Sequence, residues 1–165
     1  MTIQHVVFII LSAIALIGAL GVVLSRRLFR SAIFLVLSFV GVAGFYILLE
    51  AGLLAMIQLL IYVGAIAILI IFAIMLSRQA MVADDKVLNE QWAPGGLVAV
   101  LLLAALVYVL VQVNWQVVEG AVPPDSIQRL GQSLVSSNGF VLPFEVASVL
   151  LLVALVGAVI IAREK

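Results

Sequence analysis

The sequence has no cysteine and one histidine, His5. That inventory excludes a disulfide framework, a thiolate metal site and a Cys-ligated iron–sulfur cluster on this chain, and a lone imidazole argues against any metal centre. Charge is scarce as well: 10% of the 165 residues are Asp, Glu, Lys or Arg. A soluble domain of this size needs more charge to cover its core. Eight basic residues balance eight acidic ones, so nothing recommends a nucleic-acid partner. There is no phosphate-cradling Gly-rich loop, no dinucleotide fingerprint and no nucleophile elbow. No internal repeat is visible, which weighs against a transporter built of inverted halves.

What remains is apolar sequence. Hydrophobic residues make up 67% of the chain and come in continuous runs. Membrane strands alternate apolar and polar residues, so helices are the spanning element here. The expected fold is all-α, a single membrane domain over 1–165 with five transmembrane helices at about 4–24, 31–49, 53–76, 94–114 and 143–162. Pro94 and Pro143 sit at the expected starts of the last two, where a missing N–H costs nothing. The connections are a basic turn from Ser25 to Arg30, a short turn at Glu50, an aqueous loop from Ser77 to Trp92, and a longer polar stretch from Trp115 to Leu142. The first run is read as a retained helix, because its basic residues follow the apolar stretch instead of preceding it.

Charge placement then predicts the orientation. Arg26, Arg27, Arg30, Arg78, Lys86, Arg163 and Lys165 fall on one side of a five-span layout, and Arg129 alone falls on the other. By the positive-inside rule the N-terminus is outside and the C-terminus cytoplasmic. Trp92 and Trp115 are expected at opposite interfaces of the fourth span.

The run from Ala51 to Leu76 asks for more than an anchor. Gln58 and Tyr62 are four apart and share a helix face. Gly64 and Ala65 remove bulk just beyond them. One reading is packing: small residues let helices approach, and a lone Tyr or Gln bonds a neighbour. The other is functional: Gly64 weakens the helix and lets a neighbour approach, the break from regular bonding there could become a π-bulge, and the polar face could hold water. Glu50 and Glu145 are the acids nearest the membrane. Each reads as an interfacial cap or a contact to a partner chain, with a proton relay as the sharper alternative. No Lys, Arg, Asp or Glu lies at the centre of any span. Gly18, Gly21, Gly41, Gly44, Ala154, Gly157 and Ala158 read as helix-packing positions, and the loop acids Asp84, Asp85 and Glu90 as solvated.

The string from Gln58 to Ile66, QLLIYVGAI, continuing through Phe72 to Leu76, resembles the third helix of chain 6 (subunit J) of NADH–quinone oxidoreductase, respiratory complex I. The segment from Leu142 to Ala154, LPFEVASVLLLVA, is similar to that family's closing span. The third helix is also close to the equivalent chain of the photosynthetic NDH-1 complex. The resemblance implies a non-catalytic subunit of the membrane arm. Its partners would be the other membrane-arm subunits, the membrane subunit of the quinone module, and the lipid bilayer. It would bind no cofactor and no metal itself, while the whole complex uses NADH, flavin, iron–sulfur clusters and quinone. The host membrane would be a bacterial inner membrane, or a thylakoid membrane for the photosynthetic branch. The family's third helix carries a π-bulge matching Tyr62, Val63 and Gly64, whose conversion to regular helix would make or break a water path. Two alternatives stand beside this: a subunit of a multisubunit cation/proton antiporter, and a passive scaffold of the same complex.

Overall fold

The structure, a computed structural model, describes residues 3–77, 91–114, 123 and 125–163. All regular structure among them is helical. The helices are α1 (Ile3–Leu24), α2 (Leu28–Leu48), α3 (Gly52–Leu76), α4 (Trp92–Gln112), α5 (Ser126–Val135) and α6 (Val141–Ala162). All but α5 are long and apolar enough to cross a membrane. Arg78, Asp84, Asp85, Lys86, Glu90, Trp115 and Lys165 lie outside the described residues, as does the interfacial placement of the Trp92 ring.

Three boundaries move relative to the sequence expectation. Helix α2 starts at Leu28, so Arg30 belongs to its first turn and the basic turn shrinks to 25–27. Helices α4 and α6 each start two residues before their proline, at Trp92 and Val141. Proline is harmless at the third helical residue for the same reason as at the first: the first four N–H groups have no intrahelical acceptor. The polar stretch before α6 also holds a helix of its own, α5. Its signal is Ile127, Leu130 and Leu134, spaced three and four apart opposite Arg129 and Gln132.

The chain falls into two compact units, Met1–Val118 and Glu119–Lys165. In the first, α1 and α2 form an antiparallel hairpin on which α3 packs. The hairpin is held by small residues. A Cβ on Gly18 would stand 2.6 Å from the Ser38 nitrogen, and one on Gly41 would stand 2.9 Å from the Ala15 Cβ. Gly44 makes room for Leu11, and Gly21 for the Phe34 ring. The Ser38 hydroxyl donates to the Ala15 carbonyl at 3.2 Å, and Phe8 meets Phe45 with ring centroids 5.6 Å apart. The buried apolar residues among those described are all alanines: Ala32, Ala43, Ala55 and Ala67. In lipid, apolar side chains gain nothing by leaving one hydrocarbon for another, so close backbone approach through small residues takes over.

In the second unit a tight turn joins α5 to α6. The Phe140 N–H donates to the Ser133 carbonyl at 2.7 Å, and the Gly139 N–H to the Ser136 carbonyl at 3.0 Å. A side chain on Gly139 would run into the Ser133 carbonyl. No residue of α6 is buried, and Ala154 and Ala158 are exposed.

Candidate functional site in the third helix

The site begins at the turn that leads into α3. Helix α2 ends at Leu48, and two residues on lies Glu50, whose φ of 57° is left-handed and which is the one non-glycine of that kind among the described residues. The Ala51 N–H donates to the Tyr46 carbonyl at 2.8 Å and the Glu50 N–H to the Ile47 carbonyl at 3.0 Å. This is a Schellman stop, with a glutamate at the position glycine usually occupies. The residue capping α3 is Ala51, which offers no side-chain cap. The stop places Glu50 at the start of α3, exposed.

Helix α3 is not uniform. Gly52–Ile57 is α-helical, Gln58–Ile66 is a π-helix, and Ala67–Leu76 is α-helical again. At the exit of the wide segment the Ala67 N–H donates to the Tyr62 carbonyl, five residues back. Tyr62, Val63 and Gly64 all lie inside it. Gly64 suits that geometry, because a Cβ there would come within 3.3 Å of the Leu59 carbonyl oxygen, again five residues back. A π segment is rare and holds fewer good contacts than α-helix, so it needs a reason to persist.

Packing against α2 supplies one. Ala55, Gln58 and Ala67 are the buried residues of α3. Gln58 and Ala67 are nine residues apart. At about 100° per residue, a regular helix would set them on opposite sides. The wide turns absorb extra residues and bring both back to buried positions. Gln58 is 7% exposed and is the one buried polar side chain among the described residues. Tyr62 is half-exposed, and its ring meets Phe39 of α2 edge-on, with centroids 5.5 Å apart and planes at 71°. The structure therefore gathers Gln58, Tyr62, Val63 and Gly64 on one segment and adds Phe39 to them. Sequence reasoning did not single out Phe39, because nothing in the order of residues says which of α2's aromatics faces α3.

Glu145 belongs to the second unit. It is the fifth residue of α6, exposed, and so beyond the helix's first turn. A helix starting at about residue 143, as the sequence predicts, would put Glu145 in its first turn, and the start at Val141 moves it beyond that turn. Its stabilisation by the helix dipole weakens accordingly, since that effect fades within one turn. Among the described residues no group of three or more His, Cys, Asp and Glu could hold a metal ion.

The chain is similar to known proteins over nearly its whole length. Residues 18–161 match the family described as NADH-ubiquinone/plastoquinone oxidoreductase chain 6. The chain is 41% identical to NAD(P)H-quinone oxidoreductase subunit 6 of the organellar chromatophore of Paulinella chromatophora, over 98% of this chain and 78% of that protein. It is 38% identical to NAD(P)H-quinone oxidoreductase chain 6 of Synechocystis sp., over 98% of this chain and 82% of that one. It is 35% identical to F(420)H(2) dehydrogenase subunit J of Methanosarcina mazei, over 97% and 91% respectively.

Proposed function

The chain belongs to the NADH-ubiquinone/plastoquinone oxidoreductase chain 6 family, and from that premise we propose that it couples quinone reduction to proton translocation in a membrane-arm complex, through a change of helical form in α3. The observation that carries the proposal is the π segment Gln58–Ile66, with Tyr62, Val63 and Gly64 inside it.

Converting that segment to regular helix would release the extra residues held in its wide turns. One half of α3 would then rotate against the other, and Gln58 and Ala67 could not both stay buried. The Tyr62 ring would turn relative to Phe39. Gln58 and Tyr62 are the polar groups of the segment, so the rotation would open or close a chain of water between α3 and its neighbours. This is a two-state element, and redox steps elsewhere in the complex can bias it only by favouring one form. The chain itself contributes shape. It carries no acid at mid-span, binds no flavin, cluster or quinone, and supplies no catalytic residue.

The proposed partners are the other membrane-arm subunits and the membrane subunit of the quinone module, in a bilayer with the N-terminus outside. The relatives' names include both NAD(P)H-quinone oxidoreductases and an F(420)H(2) dehydrogenase. A coupling element of this kind does not depend on the identity of the electron donor, which other subunits would receive. An antiporter subunit would lack such partners, so flavin and iron–sulfur proteins co-purifying in mild detergent are the expected discriminating result.

The test is Gly64→Val. A branched side chain at this position crowds the Leu59 carbonyl in the π form, and the bias against that form is expected to be about 1 kcal/mol or more. The complex should assemble, with slower quinone reduction and fewer protons moved per turnover in membrane vesicles. Normal rates for both in an assembled Gly64→Val complex would return α3 to a passive scaffold.

A further inference from the structure

The basic turn between α1 and α2 carries a feature that the coupling role does not use. An open depression of about 560 Å³ lies there. Ser25, Arg26, Arg27 and Arg30 are its polar lining residues, and Gly21, Leu24 and Phe34 line the rest. Among the described residues no carboxylate lies within ion-pair distance of these arginines, and all three are exposed. Arg26 and Arg27 follow the C-terminus of α1, which suits a cation. Arg30 does not enjoy that match. It lies in the first turn of α2, where the helix dipole already presents positive charge. The N–H groups of Leu28, Phe29 and Arg30 also point out of that first turn without intrahelical acceptors. Three arginines thus line one depression beside the start of a 21-residue helix. An anion there would offset both.

The lining identifies the kind of anion. The turn joins two membrane-spanning helices, so it lies at the boundary between water and hydrocarbon. The arginines sit at the turn, and Gly21, Leu24 and Phe34 belong to the spanning helices below it. A free phosphate would have no use for that apolar floor. A glycerophospholipid matches both parts, with its phosphodiester on the arginines and the start of an acyl chain over Leu24 and Phe34. Guanidinium groups suit phosphate oxygens because they can donate two parallel hydrogen bonds. We infer that the α1–α2 turn is a binding site for the headgroup of an anionic phospholipid.

The test uses the full chain in nanodiscs and counts lipids retained on it by native mass spectrometry. With matched acyl chains, phosphatidylglycerol should be retained about tenfold or more over phosphatidylcholine, since each basic residue near a membrane surface favours anionic lipid severalfold. The variant R26Q/R27Q/R30Q should lose that preference. The variant Arg129→Gln, which lies in the other unit, should keep it. Should the triple variant fail to fold, Leu24→Cys gives the cysteine-free chain a single thiol at the depression. A benzophenone attached to it should crosslink phosphatidylglycerol in preference to phosphatidylcholine. Equal retention of the two lipids, an unchanged preference in R26Q/R27Q/R30Q, or full displacement by millimolar inorganic phosphate would overturn the assignment.

Discussion

Glu50 holds a backbone conformation that glycine adopts freely and a glutamate does not. The left-handed region costs an L-residue about 1 kcal/mol or more, and Glu50 occupies it at φ 57° so that α2 can stop and α3 can start. Glu50→Gly is therefore expected to stabilise the detergent-solubilised chain by about 1 kcal/mol, read as a higher thermal midpoint by circular dichroism. Glu50→Gln should leave that midpoint where it is, because glutamine meets the same steric penalty. If Glu50→Gly lowers the midpoint instead, the carboxylate is making a contact that the turn geometry does not reveal. The left-handed turn was not legible in the sequence. Glu50-Ala51 contains no glycine or asparagine to announce it, whereas Gly52, the residue that looks like the turn former, is already the first residue of α3.

At the scale of the element, the α1–α2 hairpin shows how these helices find each other. The atoms nearest a Cβ on Gly18 are the Ser38 nitrogen at 2.6 Å, the Ser38 Cα at 2.8 Å and the Phe34 carbonyl oxygen at 2.9 Å. All are backbone, so they can yield only if the helices part. Gly18→Val is expected to cost about 1–3 kcal/mol, measured as a shift in the chain's unfolding midpoint in detergent. Gly157→Val on α6 is the matched control: nothing lies within 4 Å of a Cβ there, and the isolated chain should not notice it. Equal losses from the two would mean that the close approach at Gly18 does not hold the hairpin. The third helix is the opposite case. Its glycine faces its own helix's carbonyl, and the consequence is a change of helical form instead of a close approach. Both roles come from a missing Cβ, and the sequence alone does not tell one from the other. Helix α5 was missed for a different reason. Its apolar residues are spaced for a helix, but at ten residues with Gly131 inside it reads as part of a polar connection.

At the scale of the whole chain, the described residues bury very little apolar surface. Helices α4 and α6 bury none of their window of membrane-spanning residues, and every buried apolar residue described is an alanine. Such a protein relies on lipid and neighbouring subunits for most of its packing, which agrees with membership of a family of complex subunits. Glu145 belongs to this scale, because it is an exposed acid on α6 and the role proposed for it is a contact to a partner chain. Glu145→Gln is expected to loosen the complex, seen as subunit loss on native gels in mild detergent, while the protons moved per quinone reduced stay at the wild-type ratio. A lower ratio in an intact complex would make Glu145 a proton relay.

Composition and period were enough for the spanning helices. Too little charge for water and apolar runs long enough for a bilayer lead to spanning helices, because an unpaired backbone group is too costly in hydrocarbon. The string around Tyr62 and Gly64 pointed to the family, and the glycine to where α3 is weakest. Tertiary structure decided what depends on which faces meet. Pairing with α2 requires Gln58 and Ala67 both to be buried, nine residues apart, and only a segment with wide turns allows it. It also set Phe39 against Tyr62 and lined one depression with three arginines. A one-dimensional pattern records how often a side chain returns to a face, but not which neighbour waits there.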